Sequence, residues 1–237
     1  MKKNKIKDTG LEVTELSFGT SSLGSMPDTY GYEVPEQRAQ ETLKRFFQGP
    51  VNMLDTSRNY AMGESEKRIG IAIKENGGWP ENFILSTKID RNMETLVLDK
   101  KRTRESIEES LKTLNVDSVD ILFLHDPEYV KDVNDVTKKD GALDELFKIK
   151  EEGLAKAVGL AMGKINIMFP ILKNWDFDVI INHNRYTLLN READEMYSYA
   201  YSKNISIFNA APYAGGVLAK GPSLSLIHIS EPTRPRS

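Results

Sequence analysis

Four side chains able to move or stabilise protons stand at, or just after, the ends of short apolar runs. Asp55 ends the run 51–55, and Tyr60 follows five residues later. Lys88 ends 83–88, and His125 ends 119–125. A free tyrosine has a pKa of about 10, too high for ready proton exchange near neutrality. An ammonium group beside it favours the phenolate and lowers that pKa. Lys88 is the candidate neighbour, Asp55 the anion that would keep it charged and oriented. His125 can donate a hydrogen bond to a reacting oxygen. Each residue alone has an ordinary explanation. A loop Tyr usually packs, a Lys at a strand end is usually solvated, a lone His is usually structural, and an Asp after a strand often caps a helix. Their joint order along the chain is what carries weight.

The elements that must position them are regular. Residues 6–13, with a turn signal at Asp8-Thr9-Gly10, read as a hairpin. Strands are then expected near 16–19, 51–55, 83–88, 119–125, 155–160, 179–182 and 205–209. Helices are expected near 35–48, 63–76, 101–114, 141–151, 164–173 and 190–203. Such alternation implies parallel strands joined by right-handed crossovers. The runs 119–125 and 179–182 are apolar on both faces, as buried parallel strands are. Within the helices, Ile107, Leu111 and Leu114 share a face, as do Ile69, Ala72 and Ile73, with Glu66, Lys67 and Arg68 expected outward. Pro35 suits a first helical turn and Gly153 a C-cap. The fold class expected is an α/β (β/α)8 TIM barrel. Asp55, Tyr60, Lys88 and His125 then converge at the C-terminal mouth, where barrel active sites lie.

Composition removes several alternatives. The chain has no cysteine, so disulfides, thiolate nucleophiles and cysteine-held metals are excluded. Three histidines, one in the last ten residues, argue against a metal site. A net charge of −3 gives no general attraction to nucleic acid or anionic membrane. No apolar run approaches the roughly 20 residues of a membrane span, and no signal-peptide core follows the basic start, so a cytoplasmic location is expected. No G-x-G-x-x-G after a strand, P-loop or H-E-x-x-H is present.

The wording around the four residues is specific. Asp55-Thr56-Ser57-Arg58-Asn59-Tyr60-Ala61-Met62-Gly63, followed by Ser65-Glu66 and Ile69-Gly70, resembles the signature of the aldo-keto reductases. Ser86-Thr87-Lys88 is similar to the Lys motif of that family, and Leu124-His125-Asp126-Pro127-Glu128 to the variant in its sugar-oxidising members. Arg185-Tyr186-Thr187-Leu188-Leu189 points the same way, toward the aldose 1-dehydrogenase branch. The resemblance implies an oxidoreductase that interconverts an alcohol and a carbonyl with NADP or NAD. The substrate implied is a free sugar such as L-fucose, L-galactose or D-arabinose, oxidised at C1 to its lactone. Tyr60 would be the general acid–base, supported by Lys88 and Asp55, with His125 orienting the substrate oxygen. The implied cofactor-binding residues are Gly19, Thr20, Asp55, His183, Ala210, Pro212 and Gly216. Three stretches depart from the common pattern: Leu160-Ala161-Met162-Gly163 replaces a Ser-Asn, Asn182-His183-Asn184 a Gln, and Asn209-Ala210-Ala211-Pro212 a stacking Tyr. The alternative function is a non-catalytic nucleotide-binding or regulatory subunit of the same fold.

Seven strands leave the barrel incomplete, with an eighth βα unit missing. Residues 1–223 are expected to form a partial oxidoreductase barrel. Residues 224–237, similar in wording to a translated sequencing-adaptor read-through, are expected to be a non-native, disordered tail. Unpaired outer strands would expose apolar surface, so the chain as written is expected to be an inactive, poorly folding fragment. Neither the oligomeric state nor the choice between NAD and NADP is legible.

Overall fold

The computed structural model describes residues 1–219; the expected tail 224–237 lies outside them. An antiparallel hairpin, β1 (Lys3–Lys5) and β2 (Glu12–Thr14), opens the chain. Its turn falls where Asp8-Thr9-Gly10 placed it, with Ile6 N–H donating to the Leu11 carbonyl at 2.9 Å. The ladder lies a few residues further out than 6–13, because Ile6, Leu11 and Val13 turn inward and are buried.

Seven parallel strands follow in sequence order: β3 (Phe18–Gly19), β4 (Met53–Asp55), β5 (Ile84–Ile89), β6 (Val119–His125), β7 (Ala155–Met162), β8 (Val179–His183) and β9 (Ser206–Ala210). The helices are α1 (Pro27–Tyr30), α2 (Glu36–Phe47), α3 (Glu64–Glu75), α4 (Lys100–Leu114), α5 (Asn134–Thr137), α6 (Ala142–Glu151), α7 (Ile165–Asn174) and α8 (Asp194–Ser202). The single-turn α1 and α5 are too short to leave a periodic signal. Among the described residues β3 and β9 each pair on one side only, so the sheet is an incomplete barrel of the expected type.

Two apolar layers curl this sheet. The inner one joins Met53, Ile121, Phe123 and Val179 to Ile6, Leu11 and Val13 of the hairpin, which closes the N-terminal end. Gly159 makes room for it: a Cβ there would lie 2.6 Å from the Phe123 ring and 2.3 Å from the Val179 carbonyl oxygen. The outer layer packs the helices on the sheet through Leu43, Ile69, Ile73, Ile107, Leu146 and Met168, among others. On β9, Ile207 and Phe208 are half-buried. The register then levels the strand ends. Gly19 faces Asp55, His125 faces Ala161 and His183 faces Ala210.

Local chemistry fixes the helix ends. The Asp99 carboxylate accepts from Arg102 N–H at 2.8 Å to cap α4. Gly153, at φ +80°, follows α6 as expected. Pro35 sits one residue earlier than expected, as the N-cap of α2 rather than inside its first turn.

On α3 the outward placement holds for Lys67 and is overturned for its two neighbours. Ile69, Ala72 and Ile73 are buried as expected, but so are Glu66 and Arg68. Arg68 Nη1 donates to the carbonyls of Leu23 and Val34 at 2.6 and 2.8 Å, tying down the loop after β3. Glu66 accepts from Thr87 Oγ1 at 2.6 Å, and burial pushes its carboxyl up to about 7. Stability linked to this group is fully present below the ordinary carboxyl value of 4.5 and lost as pH rises toward 7. Glu66→Gln, which stays neutral, should flatten that decline. The variant should gain on the order of 3 kcal/mol relative to wild type between pH 4.5 and 8, read from denaturant unfolding at both pH values. A parallel pH dependence in the two proteins would refute it.

Candidate active site

The mouth of the half-barrel gathers the four predicted residues. Asp55 ends β4, Lys88 is the penultimate residue of β5, and His125 ends β6. Tyr60 opens a 3₁₀ turn, Tyr60–Gly63. That turn is unusual: Ala61 and Met62 take φ of +51° and +55°, followed by Gly63 at +93°. Consecutive left-handed non-glycine residues store strain that neighbouring structure must hold, and such strain clusters at functional sites. The neighbour here is Gly24, where a Cβ would approach Ala61 Cβ to 2.4 Å.

Lys88 is buried, and its Nζ donates to Asp55 Oδ2 at 2.7 Å and to the Thr56 carbonyl at 2.6 Å. Ser86 Oγ occupies the other Asp55 oxygen at 2.6 Å. Burial alone would discharge Lys88, but Asp55 and Tyr60 outweigh it and hold the ammonium well above its ordinary range. That ammonium lies 4.6 Å from the centre of the Tyr60 ring. The Tyr60 and His125 rings meet edge to face, centroids 5.9 Å apart.

One expectation needs correcting. Tyr60 is not lowered: burial pushes its phenol up to about 12, and the opposing pull of Lys88 is smaller. At neutral pH Tyr60 therefore carries its proton, with a fixed cation waiting beside the oxygen that would lose it.

The sequence reading missed Asp90 and Ser57. Asp90 Oδ1 meets His125 Nδ1 at 2.7 Å, and Asp90 Oδ2 accepts from Ser57 Oγ at 2.5 Å and from Asn59 N–H at 2.9 Å. Ser57 Oγ is 3.2 Å from the same His125 nitrogen. The available signal was spacing: Asp90 follows Lys88 by two residues, and side chains two apart on a strand point the same way.

A cleft of about 560 Å3 opens over Asp55, Tyr60, Lys88 and His125. Of the residues assigned to the cofactor, Gly19, Thr20, Asp55, His183 and Ala210 line it; Pro212 and Gly216 do not. Thr20 turns its hydroxyl onto the Asp55 carbonyl at 2.9 Å, so it braces β3 against β4. Gly216 lies in the 3₁₀ turn Ala214–Gly216 at φ +95°. His183 enters the cleft because Gly163 has no side chain; a Cβ there would stand 2.7 Å from the ring. Asp126, Glu128 and His183 bring potential metal-ligating atoms within 4.8 Å of one another, a grouping the sequence did not mark. One Glu128 oxygen is taken by the Gly163 N–H at 2.9 Å. A larger groove of about 890 Å3 runs between α4 and α6, lined by charged surface residues that pair with each other, such as Arg104 with Glu152.

Residues 15–235 match the model of the Aldo/keto reductase family. The chain belongs to that family. This member is 32% identical over 224 residues to L-galactose dehydrogenase of Arabidopsis thaliana, covering 90% of this chain and 66% of that protein. It is 27% identical over 236 residues to D-threo-aldose 1-dehydrogenase of Pseudomonas sp, covering 89% and 69%. The holo form of aldo-keto reductase AKR11C1 from Bacillus halodurans superposes with a TM-score of 0.78 at 26% identity, covering 95% of this chain and 71% of that one. The chain thus spans about two thirds of the length of the curated relatives it matches. Among the described residues no helix of this aldo-keto reductase is long and apolar enough to cross a membrane.

The cleft suits a nicotinamide nucleotide. Gly19, Ala161, Ala210 and Ala211 leave part of its wall free of bulk, and Asn184 Oδ1, buried without a partner, offers an acceptor to a carboxamide. Such a cofactor supplies hydride transfer when bound.

Proposed function

We propose that this protein is a nicotinamide-dependent oxidoreductase that interconverts an alcohol and a carbonyl, with a free aldose oxidised at C1 as its substrate class. The observation that carries the reading is the Lys88 ammonium, held 2.7 Å from Asp55 and 4.6 Å from the centre of the Tyr60 ring. A phenol and a fixed cation in a cleft have an evident use in passing a proton to or from a substrate oxygen. In reduction Tyr60 gives its proton to that oxygen, and Lys88 stabilises the phenolate left behind. In oxidation Tyr60 takes the alcohol proton, which requires the phenolate first. His125 stands across the ring from Tyr60 and orients the same oxygen. Relatives named for L-galactose and D-threo-aldoses support the sugar class. The test is aldose-dependent reduction of NAD or NADP by the protein extended to the full length of its relatives, with L-galactose, L-fucose and D-arabinose as substrates; no reduction with any of them would overturn the reading.

His125 serves the substrate more than the cofactor in this scheme. His125→Ala should lower turnover while the cofactor dissociation constant stays within about threefold, under roughly 0.7 kcal/mol. Fluorescence titration with NAD and NADP checks this. A large loss of cofactor affinity with normal turnover would reverse the assignment.

A further inference from the structure

We propose that residues 23–34 form a strap that grips the substrate away from its reacting carbon. In it Tyr30, paired with Ser21, is a specificity-determining residue that holds a sugar hydroxyl, and Arg68 is the positioning residue that fixes the strap over the cleft. The inference rests on the aldose reading above and names what in the site holds the sugar.

The strap leaves the sheet after β3 and returns before α2. Its one regular element, α1, is a single turn with no buried residue. The core holds only its two ends, Leu23 and Val34. A segment with so few apolar contacts has little stability of its own. Polar contacts close it instead. Arg68 Nη1 donates to the Leu23 carbonyl at one end and to the Val34 carbonyl at the other, so one nitrogen joins the neck. Val34 N–H donates to Ser25 Oγ at 3.1 Å across the same neck. Arg68 stands on α3, which begins directly after the Tyr60–Gly63 turn. The base of the strap also packs on that turn, through Gly24 against Ala61. One helix therefore places both the strap and the acid–base group.

The strap carries Tyr30 to the wall of the cleft. Tyr30 Oη donates to Ser21 Oγ at 2.6 Å, and both residues line the cleft. That bond leaves a hydrogen on Ser21 and lone-pair capacity on Tyr30. A sugar hydroxyl both gives and accepts, so the pair is complementary to it. The Tyr30 ring adds an apolar surface for the C–H face of a pyranose. Tyr60 and His125 take the reacting oxygen, which leaves the Tyr30–Ser21 pair for a hydroxyl elsewhere on the sugar.

The test uses the protein extended to the full length of its relatives and loaded with NAD or NADP. Tyr30→Phe should raise KM for L-galactose about 3–10-fold, the worth of one hydrogen bond, with kcat within about threefold. A tyrosine that only packs would cost stability and leave KM in place. Saturation-transfer NMR with L-galactose reads binding without turnover, and its signal should fall in Tyr30→Phe. Arg68→Met should raise KM in the same way. It should also speed hydrogen exchange at the Thr29, Tyr30 and Gly31 amides, which bond within α1, by about tenfold. Arg68→Lys keeps the charge but not the planar fork, so both effects should be smaller. If Arg68→Met does not fold, Arg68→Lys should still exchange faster than wild type at those amides. KM and sugar binding unmoved in Tyr30→Phe, weakened cofactor binding in their place, no sugar signal in wild type, or exchange unmoved in both Arg68 variants would overturn the proposal. A protein that binds L-galactose through Tyr30 and oxidises no aldose would sink the proposed function and leave the grip standing.

Discussion

Tyr60→Phe is expected to lower turnover by about 10²–10⁴-fold in both directions, the usual worth of a placed general acid–base. The ring remains, so packing against His125 and the Lys88 ammonium is retained and stability should change little. What disappears is the one hydroxyl beside Lys88 whose proton can be exchanged with a substrate oxygen in the cleft. Steady-state rates with an aldose, and with the corresponding carbonyl in reverse, measure the loss. Turnover within threefold of wild type would remove Tyr60 from the chemistry.

The second large effect is expected from Lys88→Met. Lys88 is buried with Asp55, Thr56 and Tyr60 around it. Removing one member of a buried ion pair leaves the other without compensation, at a cost of about 3–5 kcal/mol. Turnover should fall as far as in Tyr60→Phe, because the phenolate loses its cation. Adding Asp55→Asn removes the stranded carboxylate, so the double variant should regain part of the stability and none of the activity. Denaturant midpoints of the two variants separate the effects. Equal stability of wild type and Lys88→Met would show that the pair contributes nothing to the fold.

The strand order and the four mouth residues were legible because each strand is a short apolar run ending in a polar residue of particular type. Residues 119–125 were placed without error, and the helix bounds were within a few residues. Errors arose where burial reverses the usual meaning of a residue. Glu66 and Arg68 were assigned to solvent because helix periodicity treats charges as outward. In the fold they satisfy Thr87 and two backbone carbonyls. The Tyr60 phenol was expected to be acidified by Lys88, but sequence gives the neighbour and not the degree of desolvation, and desolvation wins. Asp90 went unnoticed because its partner His125 is 35 residues away. Only the β5–β6 pairing, Lys88 opposite Phe123, brings them together. Pro212 and Gly216 were assigned to the cofactor through resemblance alone; they follow the end of β9 at Ala210 and lie beyond Ala211, the last residue that lines the cleft.

The pH–rate profile of aldose oxidation tests the Tyr60-centred mechanism most directly. Oxidation needs the phenolate, and burial has pushed the Tyr60 phenol up to about 12. The wild-type rate of NAD or NADP reduction should therefore climb about tenfold per pH unit above neutrality, with no plateau short of about pH 10. Tyr60→Phe should abolish that slope. A wild-type rate that is flat or falling above pH 7, or a slope that survives in Tyr60→Phe, would contradict Tyr60 as the group that takes the substrate proton.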